Sequence, residues 1–219
     1  MSAATPDRRP WHRGLDRRAV AVAALRLLDD DGLEATTMRG VAASLGVEAA
    51  SLYAHVQDKA DLIDAVLDLV LDGVMLPEPT GDQRADLMAG FGAYRRALLA
   101  HPVVVPLVAQ RTSMSTSQVH LVERSLELLE AAGLSTRAAV DTHVTLIGFT
   151  LGFAIQEAGR PSSASAALLQ ASPVLRRALA TLGERQVVDR FTVGLGFILD
   201  GAGIKARRSR EKRRASDDA

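Results

Sequence analysis

From Leu15 almost to the C-terminal tail, apolar residues recur every three or four positions, and no stretch alternates apolar with polar residues long enough to make a strand. Such a chain buries its hydrophobic surface by packing helix on helix. Composition points the same way: 47% of residues are hydrophobic but only 4% aromatic, and the apolar positions are mostly Ala and Leu, which favour helix. No segment repeats at a fixed period, which excludes a solenoid. The expected fold class is all-α.

Punctuation residues divide the chain. Asp16 is placed to cap a first helix whose Val20, Ala24, Leu27 and Leu28 share a face and which Gly32 ends. Thr36 and Thr37 offer hydroxyl caps to a short second helix, with Val41, Ala42 and Leu45 on one face and Gly46 as its stop. A third helix over about 49–56 turns Leu52 and Val56 inward and leaves Ser51, Tyr53, Ala54 and His55 outward. Asp58 caps a long fourth helix with Leu62, Val66, Leu69 and Val70 as its stripe, closed by Pro77 and Pro79. Further helices are expected at about 82–100, 102–110, 117–132, 135–158, 173–182 and 184–202, with 161–172 as the main loop.

Several function classes drop out. The chain has no cysteine, which removes disulfides, thiolate nucleophiles and cysteine-ligated metals. It has no phosphate-binding loop, nucleophile elbow, paired-histidine zinc motif or dinucleotide fingerprint, and the Asp29-Asp30-Asp31 run reads as a solvated helix end, so no enzyme is expected. No stretch reads as a membrane span of about 18–20 uncharged apolar residues. Met1 to Arg18 lacks the apolar core of a secretion signal, and a cytoplasmic protein is expected. Twenty-six basic residues balance twenty-six acidic ones, so any basic surface must be local. The arm over 1–14 and the tail over 205–219 are both rich in basic residues and are expected to be disordered and solvated.

Three short helices with a tight Gly46-Val47 turn between the second and third fit the helix-turn-helix arrangement, in which the third helix enters the major groove. Around it cluster Arg39, Ser51, Tyr53, His55 and Lys59, whose side chains suit phosphates and base edges. The stretch TTMRGVAASLGVEAASLYAHVQDKADLIDAV, with its Leu45-Gly46-Val47 turn, its Leu52-Tyr53-Ala54-His55-Val56 and the following Lys59, resembles the DNA-binding domain of the TetR family of repressors. The resemblance implies that Tyr53, His55 and Lys59 hold backbone phosphates, that Ser51 and Thr37 assist, and that Arg39 reaches a base edge. Ala49 and Ala50 stand where the tetracycline repressor has Gln and Pro, so they can touch only methyl groups, and the operator sequence should differ. The DNA-binding domain is expected over 15–61.

The segments AYRRALLAHP (93–102), LIGFTLGFAIQE (146–157) and ASPVLRRALATLG (171–183) resemble a regulatory domain of the tetracycline-repressor type, expected here over 62–204. That resemblance implies a helical bundle enclosing a small-molecule pocket, and a homodimer joined through the helices at 135–158 and 184–202, with Gly148, Gly152, Gly194 and Gly196 permitting close approach. A dimer places two recognition helices about 34 Å apart on a palindrome of double-stranded DNA. Candidate pocket residues are Tyr94, Leu98, Gln110, Met114, His120, His143, Ile147, Leu151 and Gln156, with an ordinary core role as the alternative for the Met and Leu residues and for His143. His101 suits a helix C-terminus. The positions that match the magnesium–tetracycline anchors carry Val74 or Met75, Val108 and Gln156, with Glu157 adjacent. No metal and no cofactor is therefore expected, and the effector should be small and largely apolar. The expected function is a repressor released from its operator by that effector, through fourth helices that set the spacing of the recognition helices; the alternative is an architectural DNA-binding protein with no effector.

Overall fold

A computed structural model describes residues 15–111, 114–159, 172–183 and 187–205. Asp16 accepts a hydrogen bond from the Ala19 amide at 2.7 Å and opens α1 (Arg17–Ala35). Thr37 caps α2 (Met38–Leu45) through Gly40 N at 3.0 Å. Gly46 then turns the chain at φ 69°, a left-handed conformation that favours glycine. The remaining helices are α3 (Ala49–Leu52), α4 (Lys59–Asp72), α5 (Gln83–Ala100), α6 (Val105–Gln110) after a 3-10 turn at Pro102–Val104, α7 (Thr116–Ala131), α8 (Thr136–Ala158), α9 (Pro173–Gly183) and α10 (Val187–Gly201). Among the described residues there is no strand.

Two cores divide the molecule. The first joins α1 to α4 through Val20, Leu28, Val41, Leu52, Leu62 and Val66 and runs on into Leu98, Val104, Val105 and Val108. The second is built from Leu87, Phe91, Leu129, Leu146, Phe191, Leu195 and Leu199. A single stripe along α5 serves both: Leu87 and Phe91 belong to the second core, Tyr94 and Leu98 to the first. Ile147 on α8 packs against each. Arg95 on α5 pairs with Glu157 on α8, donating from Nε to Oε2 at 2.5 Å and from Nη2 to Oε1, and its guanidinium lies over the Phe191 ring at 5.0 Å.

Several elements differ from the sequence-based expectation. Gly32 does not end α1; it kinks it at φ 82°, and the helix resumes to Ala35. The third helix is one turn rather than two, because the amides of Tyr53 and His55 reach back three residues to Ala50 and Leu52 and tighten the chain out of α geometry. α4 stops at Asp72, before either proline. Gly194 and Gly196 also serve contacts within the chain: a Cβ on Gly194 would sit 2.3 Å from Phe149 Cζ, and the Gly196 carbonyl accepts from Arg84 Nη2 at 3.3 Å. α8 is also, by length and composition alone, apolar enough to cross a membrane, with a mean hydropathy of 1.5. In the sequence, Arg137, Asp141 and Glu157 together with interspersed glycines and threonines break up its apolar run. The arm over 1–14, most of the 161–172 loop and the tail beyond Lys205 lie outside the described residues.

Candidate nucleic-acid interface and ligand cavity

The α2–α4 segment carries a polar face on a sealed base. Leu52 and Val56 are 0% and 1% exposed, whereas Tyr53 between them is 57% exposed. Arg39, Ser51 and Lys59 are exposed, His55 is half-buried, Ala50 is exposed and Ala49 partly covered. Thr37 is exposed, and its oxygen is engaged in capping α2. Lys59 Nζ donates to the Leu33 carbonyl at 2.9 Å, tying the start of α4 to the end of α1 with one of its three protons. Hydroxyl, imidazole, guanidinium and ammonium groups thus lie along one short stretch of chain, most of them exposed.

Behind this face Arg17 and Asp61 form a bracket that no local sequence pattern announces. Arg17 Nη1 donates to the His55 carbonyl and to Asp61 Oδ2, both at 3.0 Å, while Nη2 reaches Asp61 Oδ1 at 2.5 Å. Asp61 also accepts from the Gln57 amide at 2.7 Å. The Arg17 hydrogen bond holds the Asp61 carboxyl below its ordinary range, and the same contact raises Arg17. The partners are 44 residues apart, beyond the reach of any such pattern.

Where the α5 stripe passes from one core to the other, a cavity of about 240 Å³ opens, walled by α5, α7, α8 and the segment after α4. Of the sequence candidates, Tyr94, Met114, His143 and Ile147 line it. The others stand elsewhere: Leu98 is fully buried in the first core, Leu151 packs against that core, and Gln110, His120 and Gln156 point to solvent, with His120 facing Glu123 at 3.3 Å. Helix phase explains the split, since Leu98 lies one turn past Tyr94 and beyond the crossover. Asp86, Gln118, Arg124 and Ser125 complete the polar wall, and Leu76, Pro77 and Pro79 reach it from a segment read as a helix stop. His143 Nδ1 lies 3.0 Å from Ser125 Oγ, and burial lowers the histidine's pKa. Asp86 Oδ1 accepts from Thr80 N and Oγ1 at 2.9 and 2.7 Å, which lowers its pKa.

The donor set does not suit a magnesium–tetracycline complex. Val108 is buried in the first core, Met75 is 82% exposed, and Glu157 is held by Arg95. Among the described residues, no three of His, Asp or Glu gather closely enough to hold a metal ion. His101 caps α5 and meets Asp29 Oδ2 at 2.6 Å, joining the bundle to α1. Arg111 at the end of α6 meets Asp64 and Asp68 on α4 at 3.2 and 2.7 Å.

Two family models match the chain: "Bacterial regulatory proteins, tetR family" over residues 21–66 and "Tetracyclin repressor-like, C-terminal domain" over 76–207. The class A tetracycline repressor protein from transposon 1721 of Escherichia coli is 32% identical over 195 residues, covering 85% of this chain and 90% of its own length. The structure resembles ActR of Streptomyces coelicolor in complex with (S)-DNPA, with a TM-score of 0.77 at 29% identity, covering 88% of this chain and 98% of that one. It also resembles BioQ with its double-stranded DNA operator, with a TM-score of 0.65 at 28% identity, covering 86% and 98%.

Proposed function

This chain belongs to the tetR family of bacterial regulatory proteins, and from that premise we propose that it binds a palindromic operator as a homodimer and leaves it when a small, largely apolar effector fills the cavity. As a family member it is a ligand-responsive transcriptional regulator and not an enzyme. The observation that carries the DNA reading is the array of exposed Arg39, Ser51, Tyr53 and Lys59 with half-buried His55, standing on fully buried Leu52 and Val56. In this reading residues 15–61 recognise DNA, Tyr53, His55 and Lys59 take phosphates with help from Thr37 and Ser51, and Arg39 takes a base edge. The alanines at 49 and 50 leave room for thymine methyl groups.

α8 supports the dimer. Val140, Val144, Gly148, Leu151 and Ile155 share one face of it. Val140, Val144 and Ile155 are 42%, 60% and 43% exposed, and Gly148 and Gly152 have open space where a Cβ would stand. Phe197 on α10 is likewise 73% exposed. A second copy, rather than a membrane, fits a face interrupted by glycines and matched by a neighbouring helix of the same domain.

Transmission runs through the segments that touch both parts. The cavity wall includes Leu76 to Pro79, directly after α4, and α4 is clamped to the bundle by Arg111 through Asp64 and Asp68 and by a hydrogen bond from Ser117 to Asp72. A ligand that favours one placement of that segment shifts the population of α4 positions, and a coupling of about 1–3 kcal/mol changes DNA affinity by about 5- to 150-fold. Fluorescence anisotropy with the duplex upstream of the protein's own gene and a scrambled duplex tests the reading. Expected are preference for the native duplex, salt-dependent affinity, and loss in Tyr53→Ala and Lys59→Ala. Random-sequence selection that enriches no palindrome would refute it.

A further inference from the structure

Four helices build the reading unit, and three of them open on a side chain that caps them. Asp16, Thr37 and Asp58 accept from the amides of Ala19, Gly40 and Asp61 at 2.7, 3.0 and 2.9 Å. α3 is the exception: its N-cap is Glu48, in extended backbone at φ −75° and ψ 144°, and the side chain makes no capping hydrogen bond. Short side chains such as Ser, Thr, Asp and Asn suit that position, and glutamate does not. A residue that departs from the local rule without serving its own helix is accounted for by what lies outside that helix.

Glu48 is exposed, and among the described residues its carboxylate has neither a hydrogen bond nor an ion pair. No ion pair joins it to Arg39 or Lys59, and Lys59 donates instead to the Leu33 carbonyl. The next two positions are Ala49 and Ala50, so no side chain longer than a methyl stands beside it at the leading end of α3. In a helix-turn-helix the N-terminal residues of the recognition helix meet base edges. A carboxylate can only accept there: it is repelled by phosphates, by N7 and O6 of guanine and by O4 of thymine. The donors of the major groove are the amino groups of adenine and cytosine, and the adenine amino group stands beside the N7 acceptor of the same base. Cytosine N4 carries no such neighbour on its own base.

We infer that Glu48 is a specificity-determining residue: it accepts a hydrogen bond from a cytosine N4 in each half-site, and on every other sequence its unpaired charge weakens binding. This rests on the DNA reading above and names one of its base contacts. The test is selection from a random-sequence duplex pool with the full-length parent, Glu48→Ala and Glu48→Gln. The parent should enrich a palindrome with a required cytosine at one position of each half-site. Glu48→Ala should lose the preference there and keep the others. Glu48→Gln, which both donates and accepts, should move that position toward adenine.

Anisotropy then gives the magnitude. The parent should prefer its selected duplex over the cytosine-to-thymine variant by about 5- to 150-fold, and Glu48→Ala should bind the two within about twofold. On a scrambled duplex at low salt Glu48→Ala should bind severalfold tighter than the parent, because a negative charge has left a surface that faces phosphates. It should melt with the parent, since no capping bond is lost. Retention of every parental preference in Glu48→Ala, a required base other than cytosine at the position it controls, or equal weakening on selected and scrambled duplexes would each overturn the inference and leave the DNA reading standing. A parent protein that enriches no sequence would overturn both.

Discussion

Tyr53 and Tyr94 are the only tyrosines in the chain, and they sit in opposite surroundings. Tyr53 is 57% exposed beside the fully buried Leu52, while Tyr94 is 8% exposed and faces a hole in the packing. The first four helices close their core and carry polar groups on the outside; the bundle leaves space inside its core and lines it with a few polar groups. Substitutions at the first kind of site should alter binding with little effect on folding, whereas at the second kind those that disturb the packing should cost stability as well. Each prediction below tests that division.

The largest effect belongs to the bundle. Arg95 and Glu157 are nearly buried, with side chains 9% and 15% exposed, and each is the other's counter-charge. Arg95→Ala strands the carboxylate and should cost about 3–5 kcal/mol in urea unfolding, whereas the double variant Arg95→Leu with Glu157→Leu should recover most of the loss. Gly194→Ala comes next. Its new methyl meets the Phe149 ring, which already stacks on Phe191 at 5.6 Å, and the forced repacking should cost about 1–3 kcal/mol. Tyr53→Ala, by contrast, should change stability by less than about 0.5 kcal/mol. A comparable loss there would erase the distinction.

The two regions were also unequally legible in the sequence. Reader helices are short and bounded by side chains that cap them locally, so Asp16, Thr37, Gly46 and Asp58 could be read in place, and the outward phase of Tyr53 followed from the inward phase of Leu52 and Val56. The cavity depends on which turn of α5 faces which neighbour. A stripe of Leu87, Phe91, Tyr94 and Leu98 looks uniform in sequence, yet the first three line the cavity and Leu98 does not. Pairs across long separations were invisible for the same reason. Arg95 with Glu157, 62 residues apart, and Arg17 with Asp61 are set by helix packing rather than by any local pattern.

Arg17 sharpens the comparison from the reader side. Its pair with Asp61 is partly solvated, at 44% and 25% exposed, so Arg17→Ala should reduce stability by no more than about 1 kcal/mol. The same substitution releases the His55 carbonyl and the turn behind Tyr53, and DNA affinity measured by anisotropy should fall severalfold. Unchanged affinity would show that the turn holds its shape without the bracket.

The smallest effect is a pH dependence, centred near neutrality on the cavity wall. Burial lowers the pKa of His143 in the folded protein, while in the unfolded chain it titrates near about 6.5. As pH falls through that value the unfolded state takes up the proton first, so the stability that comes from keeping the ring neutral is complete above about 6.5 and lost as pH drops toward the folded value. Asp61 and Asp86, both lowered, act in the same direction but only as pH falls through the carboxylate range. Melting temperature recorded between about pH 7.5 and 5.5 should therefore decline, and His143→Gln, which stays neutral, should flatten the decline. Tyr53→Ala should keep the parental slope in that range, because Tyr53 lies outside the cavity wall that holds His143. If His143→Gln left the slope intact, the acid sensitivity would lie outside the cavity wall, and the inward-facing site would not be the place where protonation meets stability.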